Sequence, residues 1–116
     1  MSMTNLIYYA LVIFAPVLVL IGAAGFLIPP NKSLTSGAPA YNVFHIVFGL
    51  IGLGIAYCGD VTCTRLFLIG FGAIDLYQAL ASFLGWFPIK QFRWTRGDDM
   101  LHVVIGAALI LIGVLG

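Results

Sequence analysis

The chain has 116 residues, of which 62% are hydrophobic and only 8% are charged, and its formal net charge is +1. Because soluble domains carry about 25% charged residues, this composition excludes an ordinary soluble domain and indicates an integral membrane protein. The few basic residues form no stripe that would bind nucleic acid. We expect residues 1–116 to form a single membrane domain without a separate soluble catalytic module.

Four apolar segments approach the length of roughly 20 residues that a helix needs to cross a bilayer. They cover residues 5–28, 42–57, 65–87 and 99–115. The first segment has no basic stretch before it and is longer than the apolar region of a signal peptide, so we expect it to be retained as a helix. Pro16 is expected to bend that helix, and the prolines at 29 and 30 to end it. The predicted fold class is all-α.

The distribution of basic residues predicts the orientation of these spans. Residues 29–41 and 88–98, the two longer connections, lie on one side of the membrane, and the opposite side holds only Arg65. Since basic residues accumulate in cytoplasmic loops, both connections are predicted to be cytoplasmic and both termini extracytoplasmic. The basic residues of the two connections are Lys32, Lys90, Arg93 and Arg96.

The second of these connections alternates cations with aromatic residues. Lys90, Arg93, Trp94 and Arg96 are expected to contact lipid headgroups, and Trp86 and Tyr41 are expected to extend an aromatic belt at the membrane interface. The segment is then either a topology anchor or a site of specific lipid recognition.

Two cysteines flank the turn on the extracytoplasmic side. Cys58 and Cys63 enclose four residues, and a thiol pair in that compartment can oxidise and persist. We predict a Cys58–Cys63 disulfide, with two free thiols as the alternative, because spacing alone does not fix the geometry of the bridge. No further Cys or His reaches this side, so a metal site is not expected.

A repeat with an offset of 57 residues organises the chain. Residues 42–49 read NVFHIVFG and residues 99–106 read DMLHVVIG, with the only two histidines, His45 and His102, at matched positions. Each copy opens an apolar segment, and each follows a Gly-aromatic pair, a Pro and a Lys. The repeat therefore predicts a bundle of four transmembrane helices, built from two helical hairpins related by a parallel pseudo-twofold axis along the membrane normal.

The two histidines are the first candidate site. His45 lies three residues after Asn42, and His102 three after Asp99, the residues that we predict to be the N-caps of these helices. At equal depth, the two imidazoles could ligate a haem b iron together or, one at a time, a chlorophyll magnesium. The alternative is a structural role, in which each ring is hydrogen-bonded within the bundle. The absence of C-x-x-C-H excludes covalently attached haem.

The third segment contains the second candidate site. Asp75, Gln78 and Ser82 share one helix face and form a buried polar stripe. A charged carboxylate at that depth costs several kcal/mol, so Asp75 should be protonated, hydrogen-bonded or paired. It serves either in proton or ion handling, or only in a hydrogen bond to Gln78, Tyr77 or a neighbouring helix. Asp75 lies about ten residues from the outer end of its helix and the histidines about one turn from the inner end, so water or Gln78 would have to bridge them.

These patterns resemble a known family. The Asn-x-x-His-x-x-x-Gly pattern within residues 42–52, the aspartate-bearing helix of residues 70–88 and the second histidine pattern within residues 98–113 are similar to small four-helix bacterial membrane proteins catalogued as a domain of unknown function. The resemblance implies the four-helix topology and a bacterial inner membrane. It implies no activity.

Three functions from different classes are compatible with these observations. The first is a non-catalytic accessory or assembly subunit of a larger respiratory or photosynthetic membrane complex, docked through small residues at 22–25, 49, 52, 106 and 107. The second is a haem- or chlorophyll-binding protein that uses His45 and His102, and the third is a proton-coupled carrier or channel that uses Asp75. An enzyme is not expected, because no nucleophile-base set, catalytic carboxylate pair or phosphate loop is present.

Overall fold

The computed structural model describes residues 3–116, and every regular element within that range is helical. Four of the five α-helices are long and apolar enough to cross a membrane, which confirms the predicted all-α, four-span fold. The short α4 and a 3-10 turn at Pro30–Lys32 were not predicted. The helices are α1 (Met3–Leu27), α2 (Pro39–Cys58), α3 (Val61–Leu84), α4 (Ile89–Phe92) and α5 (Arg96–Leu115).

The starts of α2 and α5 differ from the prediction. α2 has Pro39 in its first turn, where the missing N–H costs nothing, and α5 is capped by Thr95. The Thr95 hydroxyl accepts a hydrogen bond from the Asp98 N–H (3.1 Å), and the Asp98 carboxylate accepts one from the Thr95 N–H (2.9 Å). Asn42 and Asp99 therefore lie inside the helices, and their prediction as N-caps is wrong. Both helices reach 20 residues, enough to span.

The turn between α2 and α3 consists of two residues. Gly59 adopts the left-handed conformation (φ 72°) that ends α2, and the carboxylate of Asp60 accepts a hydrogen bond from the Cys63 N–H (2.8 Å) to begin α3. Cys58 and Cys63 are free and exposed, so the predicted disulfide is absent. Each cysteine is held in a terminal turn of its own helix, and these caps close the turn without a covalent bridge.

The Asp60 cap makes the stability of this turn sensitive to acid. The hydrogen bond from the Cys63 N–H lowers the pKa of the Asp60 carboxyl below its ordinary value. The stabilisation is therefore complete above the ordinary pKa and is lost as the pH falls through the lowered pKa of the folded state. The melting temperature, measured by circular dichroism, should fall less between neutral and acid pH in Asp60→Asn than in the wild-type protein, because asparagine caps the helix without titrating. An equal fall in the two proteins would contradict this role.

The helices pack mainly as two pairs, α1 with α2 and α3 with α5. In the first pair, a Cβ atom added to Gly49 would lie 2.8 Å from the carbonyl oxygen of Ala15. In the second pair, a Cβ atom added to Gly106 would lie 2.8 Å from the carbonyl oxygen of Gly72. Ala15 and Gly72, like Gly49 and Gly106, are separated by the repeat offset of 57 residues, so the same close backbone approach holds both hairpins together.

Matched residues of the two copies also touch each other, as residues beside a twofold axis must. Their separation of 57 residues is the offset read from the sequence, and the pseudo-twofold arrangement of the two hairpins is thereby confirmed. The contacting pairs are Phe14 with Phe71, Tyr41 with Asp98, and His45 with His102.

The glycines among the small residues predicted to dock a larger complex pack inside the bundle instead, whereas Ala23 and Ala107 are exposed. Gly22 and Gly25 pack against Asn42, Gly49 packs against α1, Gly52 against α1 and α3, and Gly106 against α3. The prediction that these glycines form an external interface is therefore wrong, because each is covered by a neighbouring helix. The accessory-subunit role itself stays a prediction.

The bundle has two dissimilar ends. We call the end where α2 and α5 begin the loop face, and the end with the two-residue turn the hairpin face. Apolar side chains fill the core, chiefly in the half towards the hairpin face, whereas polar residues are buried near the loop face. The apolar core consists of Ile7, Leu11, Ala15, Leu18, Ala56, Leu68, Phe71 and Leu109.

Candidate functional site

A hydrogen bond between the two copies of the repeat forms the loop-face end of the polar site. The Tyr41 hydroxyl donates to Oδ1 of Asp98 at 2.6 Å, and both side chains are buried, Asp98 to 0% exposure. The second carboxylate oxygen belongs to the capping box with Thr95, so the start of α5 holds Asp98 in place. Tyr41 is therefore part of the interior, and its prediction as an interfacial belt residue is wrong.

The two histidines lie next to this pair, at equal depth. The imidazole of His45 stacks on the ring of Tyr41 with centroids 4.1 Å apart, and its Nδ1 donates to the carbonyl oxygen of Tyr41 at 2.8 Å. The ring of His102 lies 6.5 Å from that of His45, at an interplanar angle of 21°. Nδ1 of His102 is buried without a hydrogen-bond partner. The two imidazoles therefore lie next to each other inside the bundle, as the repeat predicted.

Asp75 shares a cavity with these residues. The cavity measures about 40 Å³, room for roughly one or two water molecules at ~30 Å³ each. Asp75 is 3% exposed and contributes the wall on α3. Among residues 3–116, no hydrogen bond joins it directly to either imidazole. The other polar side chains of the wall are those of Tyr41, His45 and His102.

The rest of the predicted polar stripe is engaged elsewhere. Gln78 accepts a hydrogen bond from the Trp94 indole at 3.0 Å, and its Nε2 has no partner. Tyr77 donates its hydroxyl to a backbone carbonyl of the following loop. Neither Gln78 nor Tyr77 forms a hydrogen bond with Asp75 in the described structure. Ser82 is only half-buried.

The polar residues occupy one half of the membrane thickness. His45 lies six residues beyond the start of α2 and Asp75 nine residues before the end of α3, or about 9 and 14 Å from the loop face at 1.5 Å per residue. A hydrocarbon core is about 30 Å thick, so Asp75 lies near its middle. Beyond Asp75, towards the hairpin face, the core is apolar except for Thr64, whose buried hydroxyl donates to the carbonyl oxygen of Asp60.

The space between the imidazoles is small for a macrocycle. Pockets that hold small molecules measure about 300–1,000 Å³, whereas this cavity measures about 40 Å³. Ligation of haem b or chlorophyll by His45 and His102 would require α2 and α5 to separate. Within the described residues, no three His, Cys, Asp or Glu side chains come together as a metal site.

The predicted headgroup residues divide into two groups. Lys90, Arg93, Arg96 and Trp86 are exposed near the loop face, as the headgroup prediction requires. Trp94 is half-buried, because its indole N–H reaches Gln78. Trp94 therefore ties the loop to the polar interior as well as bordering the interface.

Tyr41 and Asp98 were not predicted as site residues from the sequence. A usable signal was present, because these two residues occupy the same position in the two copies of the repeat, four residues before each histidine. One residue per helical turn on the histidine face is the spacing expected for side chains that share a site.

Comparisons of the chain with protein-family models, with curated proteins and with solved structures found no match. The fold and the site themselves therefore define the class. The chain is a small multi-pass membrane protein, with a buried polar cluster that reaches from the loop face to the middle of the bundle.

Proposed function

We propose that this protein binds protons within the membrane, through a half-channel that leads from the loop face to Asp75. The observation that carries the proposal is the shared cavity, which collects both histidines, the only carboxyl group near the middle of the described spans, and Tyr41. Buried ionisable groups inside spans are costly and typically mark proton or ion pathways. The proposal keeps the part of the carrier or channel hypothesis in which Asp75 takes up protons, and it limits the proton path to the half of the membrane next to the loop face.

Tyr41 connects the two parts of the half-channel. Its hydroxyl is hydrogen-bonded to Asp98 near the loop face, and its side chain also lines the cavity. In the proposed path, a proton reaches Asp98 from the loop face and crosses the Tyr41 hydroxyl to water in the cavity. It then resides on Asp75, which burial favours in the neutral form. His45, whose Nδ1 donates to a carbonyl, keeps the Nε2 lone pair for accepting a proton while it is neutral.

The proposed proton path ends at Asp75, because the half of the bundle towards the hairpin face is largely apolar. Leu11, Leu68 and Leu109 fill the core between Asp75 and the hairpin face, and none of the three can carry a proton. We therefore expect liposomes that contain the protein to show no passive proton leak. Proton uptake at Asp75 would be coupled to another event at the site.

Infrared difference spectroscopy of the protein in liposomes tests the proposal. The carbonyl band of a protonated carboxylic acid is expected at neutral pH, and Asp75→Asn should remove it while Asp60→Asn, at the exposed turn, should not. After transfer to D2O, the Asp75 band should shift as its proton exchanges. Tyr41→Phe is expected to slow this exchange at least about tenfold, since positioned proton-transfer groups contribute 10²–10⁴-fold.

Two results would overturn the proposal. A carboxylic acid band that survives Asp75→Asn would place the neutral acid elsewhere, and exchange at the same rate in Tyr41→Phe would remove the path through Asp98. Circular dichroism of each variant separates these results from loss of folding.

We also propose a membrane and an orientation for this protein. The resemblance to bacterial four-helix membrane proteins supports a bacterial inner membrane, and the basic residues of the two connections support a cytoplasmic loop face. A cysteine introduced at Leu34 in the first connection, in a background lacking Cys58 and Cys63, should then be protected from a membrane-impermeant thiol reagent in intact cells.

A further inference from the structure

The cavity lies on one side of the pseudo-twofold axis, in the seam between α1 and α5. Leu101 and Ile105 of α5 line it, together with Phe14 of α1. The matched seam lies between α3 and α2, where Leu101 and Ile105 correspond to Phe44 and Phe48 at the repeat offset.

Aromatic side chains close that matched seam. Phe44 and Phe48 pack against Phe71, with ring centroids 5.9 and 5.4 Å apart. A phenylalanine is larger than a leucine or an isoleucine, so these two positions fill the space that remains open in the α1–α5 seam. The difference in side-chain size at these two positions is therefore one reason that the α1–α5 seam has a cavity and the matched seam is filled.

The exposed residues of the wall show where the cavity opens. Val17 on α1 and Leu101 on α5 are 39% and 40% exposed, whereas the polar side chains of the wall are buried. Both residues lie within spans, where the surroundings are lipid rather than water. The α1–α5 seam therefore leads from the hydrocarbon to Asp75 and the two histidines.

The chemistry of the wall selects a neutral ligand. None of the described lining residues is Lys or Arg, so an anionic carboxylate would be buried there without a cation to pair with, which is costly. The unpartnered Nδ1 of His102 and a protonated Asp75 are able to donate hydrogen bonds to an acceptor. The cavity of about 40 Å³ has room for the carbonyl group of a ligand but not for a ring, which would have to lie outside the cavity in the α1–α5 seam.

We propose that the α1–α5 seam binds a neutral, lipid-soluble carbonyl compound of the quinone class, whose carbonyl oxygen enters the cavity beside His102 and Asp75. The ring would lie between Val17 and Leu101, with any tail in the bilayer. This inference names a ligand for the site of the proposed function and rests on that function through the shared cavity and the protonated Asp75, whereas the donor at His102 is independent of it.

Photoaffinity labelling of the protein in liposomes tests the ligand. An arylazido derivative of a short-chain ubiquinone is the probe, and unlabelled decylubiquinone is the competitor. Competable label is expected on the α1 and α5 peptides that contain Val17 and Leu101. In the double variant Leu101→Phe/Ile105→Phe, which copies the closed seam, labelling should fall about tenfold or more, because the lost carbonyl hydrogen bonds and contacts exceed ~1.4 kcal/mol.

Matched variants make the result specific. Val104→Phe adds the same ring on the outer surface of α5, where Val104 is 66% exposed, and should leave labelling unchanged. Phe44→Leu/Phe48→Ile opens the matched seam and should produce new label on α2 and α3. His102→Leu keeps the seam and removes a hydrogen-bond donor, so it should lower labelling even if the double variant fails to fold.

Equal labelling of all four spans, or label that the competitor does not displace, would mean that the probe only dissolves in the bilayer, and would overturn the inference. Unchanged labelling in both the double variant and His102→Leu would do the same. Failure of the two proposals can be told apart. Competable labelling without an Asp75 infrared band retains the ligand site and removes the proton site, and the reverse result removes only the ligand.

Discussion

Asp98→Ala is expected to lower the free energy of unfolding by about 2–4 kcal/mol, the sum of a lost helix cap (~1 kcal/mol) and an orphaned buried hydroxyl (~1–3 kcal/mol). Asp98 caps α5 through Thr95 and accepts the hydroxyl proton of Tyr41, and its side chain is fully buried. The measurement is unfolding in mixed micelles with increasing denaturing detergent, followed by circular dichroism.

The next residue provides the control for this prediction. Asp99→Ala removes the same charge from the same turn of α5, but Oδ1 of Asp99 has no hydrogen-bond partner to lose. Its effect should stay within about 0.5 kcal/mol, as for most substitutions away from caps and buried networks. Equal losses in the two variants would show that charge at the helix start, rather than the bond to Tyr41, stabilises this region.

Gly106→Val and Gly49→Val are each expected to cost at least about 1–3 kcal/mol, the penalty for overpacking a filled interior. A Cβ atom at either position would lie 2.8 Å from a backbone carbonyl oxygen of the facing helix, and backbone cannot rotate aside as a side chain can. We expect reduced resistance to the same detergent titration and separation of the affected helix pair.

Gly54→Val and Gly70→Val are the matched controls, because a Cβ atom at either position meets nothing within 4 Å. The intrinsic helix propensity changes equally in all four variants, so the difference between the two pairs measures helix packing alone. Equal free energies of unfolding for the packed-glycine variants and the control variants would show that the helices of each pair can move apart without loss of stability.

The sequence predicted the fold because its two strongest signals are independent of tertiary detail. Apolar length locates the spans, and the offset between His45 and His102 locates the pseudo-twofold axis. Helix starts were less predictable, since Asn42 and Asp99 are plausible caps by residue type. The Thr95-x-x-Asp98 pattern and Pro39 compete with them, and the structure follows these stronger signals.

The site was predicted in part for a different reason. Burial of Asp75 follows from its position in a span, but its neighbours depend on how α3 is rotated against the other helices. Helical spacing suggested Gln78 as its partner, whereas packing turns Gln78 towards Trp94. The shared cavity depends on side-chain size at Leu101 and Ile105, which periodicity does not encode.

The bond between Tyr41 and Asp98 requires a chain that contains both copies of the repeat. In a symmetric dimer of one hairpin, the same residue would occupy both of these positions, one on each side of the axis. Two aspartates 2.6 Å apart would repel each other, and two tyrosines would lack an acceptor anion. Joining the hairpins in one polypeptide lets the two positions diverge into a donor and an acceptor. The same freedom places Leu18 at the position of the first copy that matches Asp75, so a single acid lies near the middle of the bundle where strict symmetry would impose two.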